Sequence, residues 1–348
     1  MKIVKTPSAG MTLIELLVAF MVLIMLVVAL VTLTTRSLET WTTGEARKDI
    51  YDRAQGVLEA IASDLRNVYA ENEFFNNGNS VLMPPAFACD LDKIRQPRIR
   101  FVRTGNPATM RTGSAKPSTI LPVTYYTPAW EVAYVMHPDK RHELWRGVRS
   151  YDRKNSGTLL RPEESDKMFK TFTQVESGIL YVGYKFWTQF TTTWDDGAPV
   201  QRVAAKSTQP SGPEKRWDST RREDRDFIFY KKRADLANPD FVYPESVEIT
   251  VTVSSSEISG VKLMEGVDER ATTLRLSHTR GIADGPGLVQ VDGEWVEYAE
   301  KGDTDLLKLR RGQRSSTAVA HAAGAPVHFG ETFTTEVRIP TFREAQDQ

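Results

Sequence analysis

Residues Met11 to Leu33 limit this chain more than any other segment: of these 23 positions only Thr12, Glu15 and Thr32 are polar, and Leu16 to Val31 is an unbroken apolar run. About 20 apolar residues at about 1.5 Å each cross a hydrocarbon core of about 30 Å, so the block has membrane-spanning length. A secretory signal fits less well, because its apolar region is about 7 to 15 residues and ends at a small-residue cleavage site. Lys2 and Lys5 precede the block with no acidic residue beside them, which puts the N-terminus in the cytoplasm and the bulk of the chain outside. Arg36, just past the span, slightly weakens that asymmetry.

Glu15 sits inside the apolar segment, five residues after Gly10. A charged side chain there costs about 3 kcal/mol unless something pairs with it. If the chain is cut between Gly10 and Met11, the new α-amino group is a compact cation at the head of a helix, positioned to meet Glu15 of a neighbouring subunit. That pairing rewards stacking such helices with an axial stagger.

The run Gly10-Met11-Thr12-Leu13-Ile14-Glu15-Leu16-Leu17-Val18-Ala19 resembles the processing site of type IV pilins and type II secretion pseudopilins. The resemblance implies cleavage after Gly10 by a prepilin peptidase, N-methylation of Met11, and a role for Glu15 in filament assembly. Met11 departs from the phenylalanine usual in the family but is apolar and of similar size. The competing reading is a plain signal anchor with an incidental glutamate.

Beyond the span, Ile50, Ala54, Val57, Leu58, Ile61, Leu65 and Val68 form the stripe of an amphipathic helix, with Arg47, Lys48, Asp52, Glu59 and Asp64 assigned to its other faces. No proline lies between Pro7 and Pro84, so the pattern predicts one helix from Thr12 to about Tyr69. From residue 71 the helical period gives way to short β-prone runs between Gly, Pro, Asn and Asp. Strands are predicted at Arg98 to Val102, Glu131 to Met136, Glu143 to Val148, Gly178 to Phe190 and Ser246 to Val253. Residues 104–119 and 197–224 read as surface loops, and the mixed-sign run Lys215 to Asp226 as a solvated face.

The order of elements is similar to that of the J-type minor pseudopilins. The fragments that carry the likeness are Asp64-Leu65-Arg66, Phe101-Val102-Arg103, Val132 to Met136 with Leu144-Trp145-Arg146, Val175 to Trp187 with Trp194, and Pro244-Glu245-Ser246-Val247. The departure is near the C-terminus: Thr332 to Pro340 suits the closing partner strand, but residues 256–331 intervene. They read as a β-module inserted in a terminal hairpin, which is tolerable because loop-closure cost grows only logarithmically with length. Within it, Leu288 to Val291 and Glu294 to Tyr298 flank Asp292-Gly293, a two-residue hairpin signal. Leu306 to Leu309 and Pro326 to Phe329 complete it. Arg311-Gly312, Thr317, His321, Ala323-Gly324-Ala325 and Val327 resemble a β-module of some phage tail proteins, and no role is carried over from that short likeness.

Composition narrows function by exclusion. Forty-five Lys plus Arg balance 45 Asp plus Glu, so no sequence-wide grip on nucleic acid is expected. Cys89 is the only cysteine, which excludes an intramolecular disulfide or a thiolate metal cluster. No nucleophile elbow, phosphate loop, dinucleotide turn or paired-His zinc helix is present. His321 and His328 are weak candidates for a shared site, and Asp90 and Asp92 lack the glycine and later glutamate of a calcium loop. Tyr181, Tyr184, Phe186 and Trp187 suit core packing better than a sugar platform.

The expectation is an α+β protein: a long N-terminal helix, its first half membrane-spanning, packed on antiparallel β-sheet in a pilin-like fold, with a small all-β insertion near the C-terminus. Its segments are a leader (1–10), an assembly helix (11–35), an amphipathic helix (36–70), a β-domain (71–255), the insert (256–331) and a final strand and tail (332–348). The resemblance implies a non-enzymatic minor pseudopilin without cofactor or metal, single-pass in a bacterial inner membrane with its C-terminal domain in the periplasm. Its implied partners are the I-, K-, H- and G-type pseudopilins, prepilin peptidase, the assembly platform and membrane lipid. Alternatives are a minor pilin of a type IV pilus, for adhesion or DNA uptake, and a membrane-anchored binding or enzymatic domain.

Overall fold

A computed structural model describes residues 12–69, 75–76, 81–82, 87–92, 95–104, 129–140, 142–151, 172–187, 194, 215–219, 243–255 and 260–340. Its one helix among the described residues, α1 (Leu13–Leu65), starts after Thr12. The chain divides into two units, residues 1–51 and 52–348.

In the first unit every residue from Thr12 to Thr42 is exposed. The protein thus leaves the apolar run Leu16 to Val31 uncovered, and this helix is long and apolar enough to cross a membrane. The hydroxyls near its far end are satisfied within the helix. Thr32 Oγ1 donates to Val28 O at 2.8 Å and Thr34 Oγ1 to Leu30 O at 2.8 Å, the bonding a threonine needs where no water competes.

In the second unit α1 buries Ala54, Val57, Ile61, Ala62, Leu65 and also Asp64. Assigning Asp64 to a polar face is therefore corrected: positions 54, 57, 61, 64 and 65 lie on one stripe, and the carboxylate faces inward with the apolar side chains. The helix ends at Leu65, where Val68 bridges Arg103 and Tyr69 N–H donates to Val102 O at 2.9 Å.

The strands follow in order. β1 (Phe75–Asn76) and β2 (Val81–Leu82) pair with each other. β3 (Ala88–Leu91), β4 (Pro97–Thr104), β5 (Ala129–Met136), β6 (Glu143–Ser150), β7 (Phe172–Ser177) and β9 (Lys215–Asp218) make a six-stranded antiparallel sheet in the order β7-β6-β5-β4-β3-β9. β8 (Ile179–Trp187), β10 (Ser246–Ser254) and β18 (Gly330–Arg338) make a second sheet in the order β18-β10-β8. An aromatic chain joins the two sheets: Phe101 stacks on Phe87 at 5.9 Å, Phe87 meets Phe186 edge-on at 6.1 Å, and Phe186 lies 5.0 Å from Trp217. Each such buried ring contributes about 1.5 to 3 kcal/mol by burial.

Two sequence expectations are corrected here. The run Gly178 to Phe190 begins at a break: Gly178, at φ +71°, separates β7 from β8 and sends them into different sheets. The surface loop 197–224 contains β9, which pairs with β3 and buries Trp217. One aromatic among charges left too little alternation to predict a strand. The rest of that segment, and residues 105–119 and 188–190, lie outside the described residues.

β10 and β18 pair without interruption from Ser246↔Arg338 to Ser254↔Gly330. The chain between them builds its own core from Val261, Leu263, Leu274, Leu276, Val289, Val291, Val296, Tyr298, Leu306 and Val327. Its strands are β11 (Thr273–Arg275), β12 (Gly287–Val291), β13 (Glu294–Tyr298), β14 (Glu300–Lys301), β15 (Asp305–Leu307), β16 (Arg310–Gln313) and β17 (Val327–His328). They form two small sheets, β11-β15-β14 and β16-β13-β12-β17. Asp292 and Gly293 close the β12–β13 hairpin with φ of +49° and +94°, the two left-handed positions of a type I′ turn. The molecule is α+β, and the sheets among the described residues are antiparallel.

Candidate functional site

Glu15 is held by its own helix start. Thr12 is the N-cap, and Glu15 Oε2 accepts the Thr12 N–H at 2.9 Å and the Thr12 hydroxyl at 3.0 Å, while Glu15 N–H donates to Thr12 Oγ1 at 3.3 Å. This is a capping box, satisfying orphan donors at both ends of the first turn. Its signal, Thr-x-x-Glu before an apolar run, stands in the sequence at Thr12 and Glu15. Gly10 and Met11 lie outside the described residues.

A second cluster joins the helix to the six-stranded sheet. Asp64 Oδ2 accepts the Tyr134 hydroxyl at 2.7 Å and Arg146 Nε at 2.7 Å, and Oδ1 accepts Arg146 Nη2 at 3.1 Å and Arg103 Nη1. The fork on Arg146 is bidentate, the strongest geometry for such a pair. Burial, and then the adjacent Asp64 carboxylate, push the Tyr134 phenol well above its usual range, so its proton stays. Burial opposes the charge of Arg146, but its bonds to Asp64 outweigh that and raise its pKa. Because α1 has no basic residue in its last turn, an acid there opposes the helix dipole, and the two sheet arginines compensate. Asp64, Arg103 and Arg146 come from three fragments well separated in sequence, and the fold brings them to one point.

Asp90 and Asp92 serve the protein itself. Asp90 accepts Arg98 Nε at 2.5 Å and Nη2 at 3.0 Å, and Arg100 Nη2 at 2.6 Å. Asp92 Oδ1 caps the turn by accepting Gln96 N–H at 2.8 Å. No group of three metal-ligating side chains occurs among the described residues.

The insert is organised around Glu294. Its carboxylate accepts Arg311 Nε at 2.7 Å and Nη2 at 2.8 Å, the Gly312 and Val319 N–H groups at 3.1 Å each, and meets His321 Nε2 at 2.8 Å. Burial alone would raise its pKa, but these donors outweigh it and hold the carboxyl below the ordinary range. Arg311, Gly312 and His321 are thus the partners of one buried carboxylate. His321 and His328 go to different partners, since the His328 ring sits 4.5 Å from that of His142.

Arg314 clasps the insert to the terminal hairpin. Its guanidinium carbon lies 4.3 Å from the ring centres of both Tyr181 and Trp295, and its Nη1 donates to Thr252 Oγ1 at 2.8 Å. Among the described residues no carboxylate pairs with it, and burial pulls its pKa down to about 10, so it stays cationic at neutral pH. Arg314 and Ser315 both have left-handed φ, +51° and +67°, a strain of about 1 to 3 kcal/mol each that the clasp offsets in part. Of the β8 aromatics, Tyr184 and Phe186 are buried in the core, Tyr181 is spent on the clasp, and the half-buried Trp187 packs 5.6 Å from Trp194. Neither a protein-family model nor a curated protein nor a solved structure matches this chain.

Proposed function

We propose that the chain is a minor pseudopilin of a type II secretion system, a non-enzymatic subunit that initiates or caps a short periplasmic filament used in protein export. The observation that carries this reading is a carboxylate, Glu15, placed five residues after Gly10 at the head of a helix whose apolar run is exposed. Removal of residues 1–10 supplies the amine that a neighbour's Glu15 needs in lipid. Convergence of the Asp64, Arg103 and Arg146 fragments supports the J-type likeness, because a shared order of weak motifs gains weight when the motifs share one cluster. In this reading the helix is anchored in a bacterial inner membrane, and I-, K-, H- and G-type pseudopilins are its neighbours.

The test is the mass of the mature N-terminus after expression with a prepilin peptidase. Wild-type protein begins at N-methylated Met11, and Gly10→Val accumulates with residues 1–10 attached. Normal Met11 termini in Gly10→Val, or a wild-type chain that keeps its leader, overturn the proposal.

A further inference from the structure

β18 is the outer strand of the sheet β18-β10-β8, and its nine residues run against β10 in one unbroken register. The bonds that flank this ladder fix which backbone groups it uses. Ser255 N–H donates to Phe329 O at 3.1 Å and Ile339 N–H to Glu245 O at 2.8 Å, so odd-numbered residues of β18 bond to β10 and even-numbered ones turn their N–H and C=O away from it. Among the described residues no strand pairs with the outward groups of Thr332, Thr334 and Glu336. β18 also lacks the devices that blunt an edge, having no proline, no lysine and no bulge.

The side chains at that edge carry an unbalanced charge. Lys185, Glu248 and Glu336 stand in one row across the sheet, and Lys185 Nζ donates to Glu248 Oε1 at 2.6 Å. Glu336 therefore sits directly opposite another carboxylate, in a pair of the non-hydrogen-bonded kind, where side chains come closest. It is exposed, and among the described residues no cation pairs with it, since Lys185 is spent on Glu248. A row that reads plus, minus, minus is completed by a cation on a fourth strand.

We propose that β18 is a docking edge for an extended segment of another protein, which adds a strand to this sheet and sets a lysine or arginine opposite Glu336. Main-chain bonds to Thr332, Thr334 and Glu336 supply the attachment, and the cation supplies the selectivity. A second copy of this chain fits less well. Paired antiparallel along the whole of β18 it places Thr332 opposite Glu336; slid to place Arg338 there, it pairs only residues 334–340 and leaves the first part of β18 bare.

The experiment is fluorescence anisotropy on the full chain in lipid nanodiscs. The probe is a labelled nine-residue peptide, as long as β18, of alternating threonine and valine with either lysine or glutamate at its centre. The wild type binds the lysine peptide about fivefold more tightly than the glutamate peptide. Glu336→Lys reverses that order, and its melting temperature stays level or rises because the repulsion from Glu248 is gone. Thr334→Pro removes an N–H that the ladder does not use and an edge strand can spare, so it unfolds cooperatively like the wild type and binds neither peptide. Should Thr334→Pro fail to fold, the charge reversal in Glu336→Lys decides the matter. Absence of binding by the wild type, equal affinity for the two peptides, an unchanged order in Glu336→Lys or undiminished binding by folded Thr334→Pro overturns the proposal. So does self-association of the peptide-free chain that Thr334→Pro abolishes, which would make the occupant a second copy.

Discussion

At the scale of single residues, buried carboxylates organise this protein, and they are what sequence pattern reads least well. Asp64 fell on the helical stripe, yet its charge assigned it to solvent. Only the arrival of Arg103, Tyr134 and Arg146 from three strands makes its burial affordable, and those contacts span 39 to 82 positions of sequence. Asp64→Ala leaves two arginines facing each other in a dry site. We expect a loss of about 3 to 5 kcal/mol in urea unfolding, whereas Arg66→Ala, on the exposed side, changes stability by less than about 0.5 kcal/mol. Glu294 gives a pH signature. Its folded pKa lies below the unfolded value, so its contribution is complete above about pH 4.5 and is lost as pH falls through the folded pKa. A plot of melting temperature against pH should therefore fall on the acid side in the wild type and fall less in Glu294→Gln; parallel curves would show that Glu294 contributes no such linkage.

At the scale of elements, legibility followed periodicity. β4, β5, β6 and β10, eight or nine residues long, each contain the run that the pattern marked as a strand. The Asp292-Gly293 turn was equally plain, because only a narrow set of residues accepts two left-handed positions in succession. β3 and β9 were not legible: each has four residues, too few to show a period, and they are strands because each pairs with a neighbour distant in sequence. The β10–β18 ladder yields a prediction of its own. Since Ser254 faces Gly330, residues 255–329 are replaceable by Asn-Gly, closing the hairpin with a two-residue turn. The shortened chain should keep its β-sheet circular dichroism and unfold cooperatively. Loss of cooperative unfolding would mean that the insert supports the sheet rather than decorating it.

At the scale of the whole molecule, the apolar helix was the most legible feature and the capping box inside it the least, since the processing motif and the cap use the same glutamate. Glu15 caps the helix, and the proposed assembly role separates cleanly from that cap. A glutamine at the third helical position still serves a capping box but carries no charge, while Thr12→Ala removes the cap, at about 0.5 to 2 kcal/mol, and keeps the carboxylate. The most direct measurement is the amount of I- and K-type pseudopilin that copurifies with each variant from membranes containing prepilin peptidase. Thr12→Ala should retain these partners at wild-type levels and Glu15→Gln should lose them; retention by Glu15→Gln would contradict the charge-paired filament and leave the glutamate as a helix cap alone.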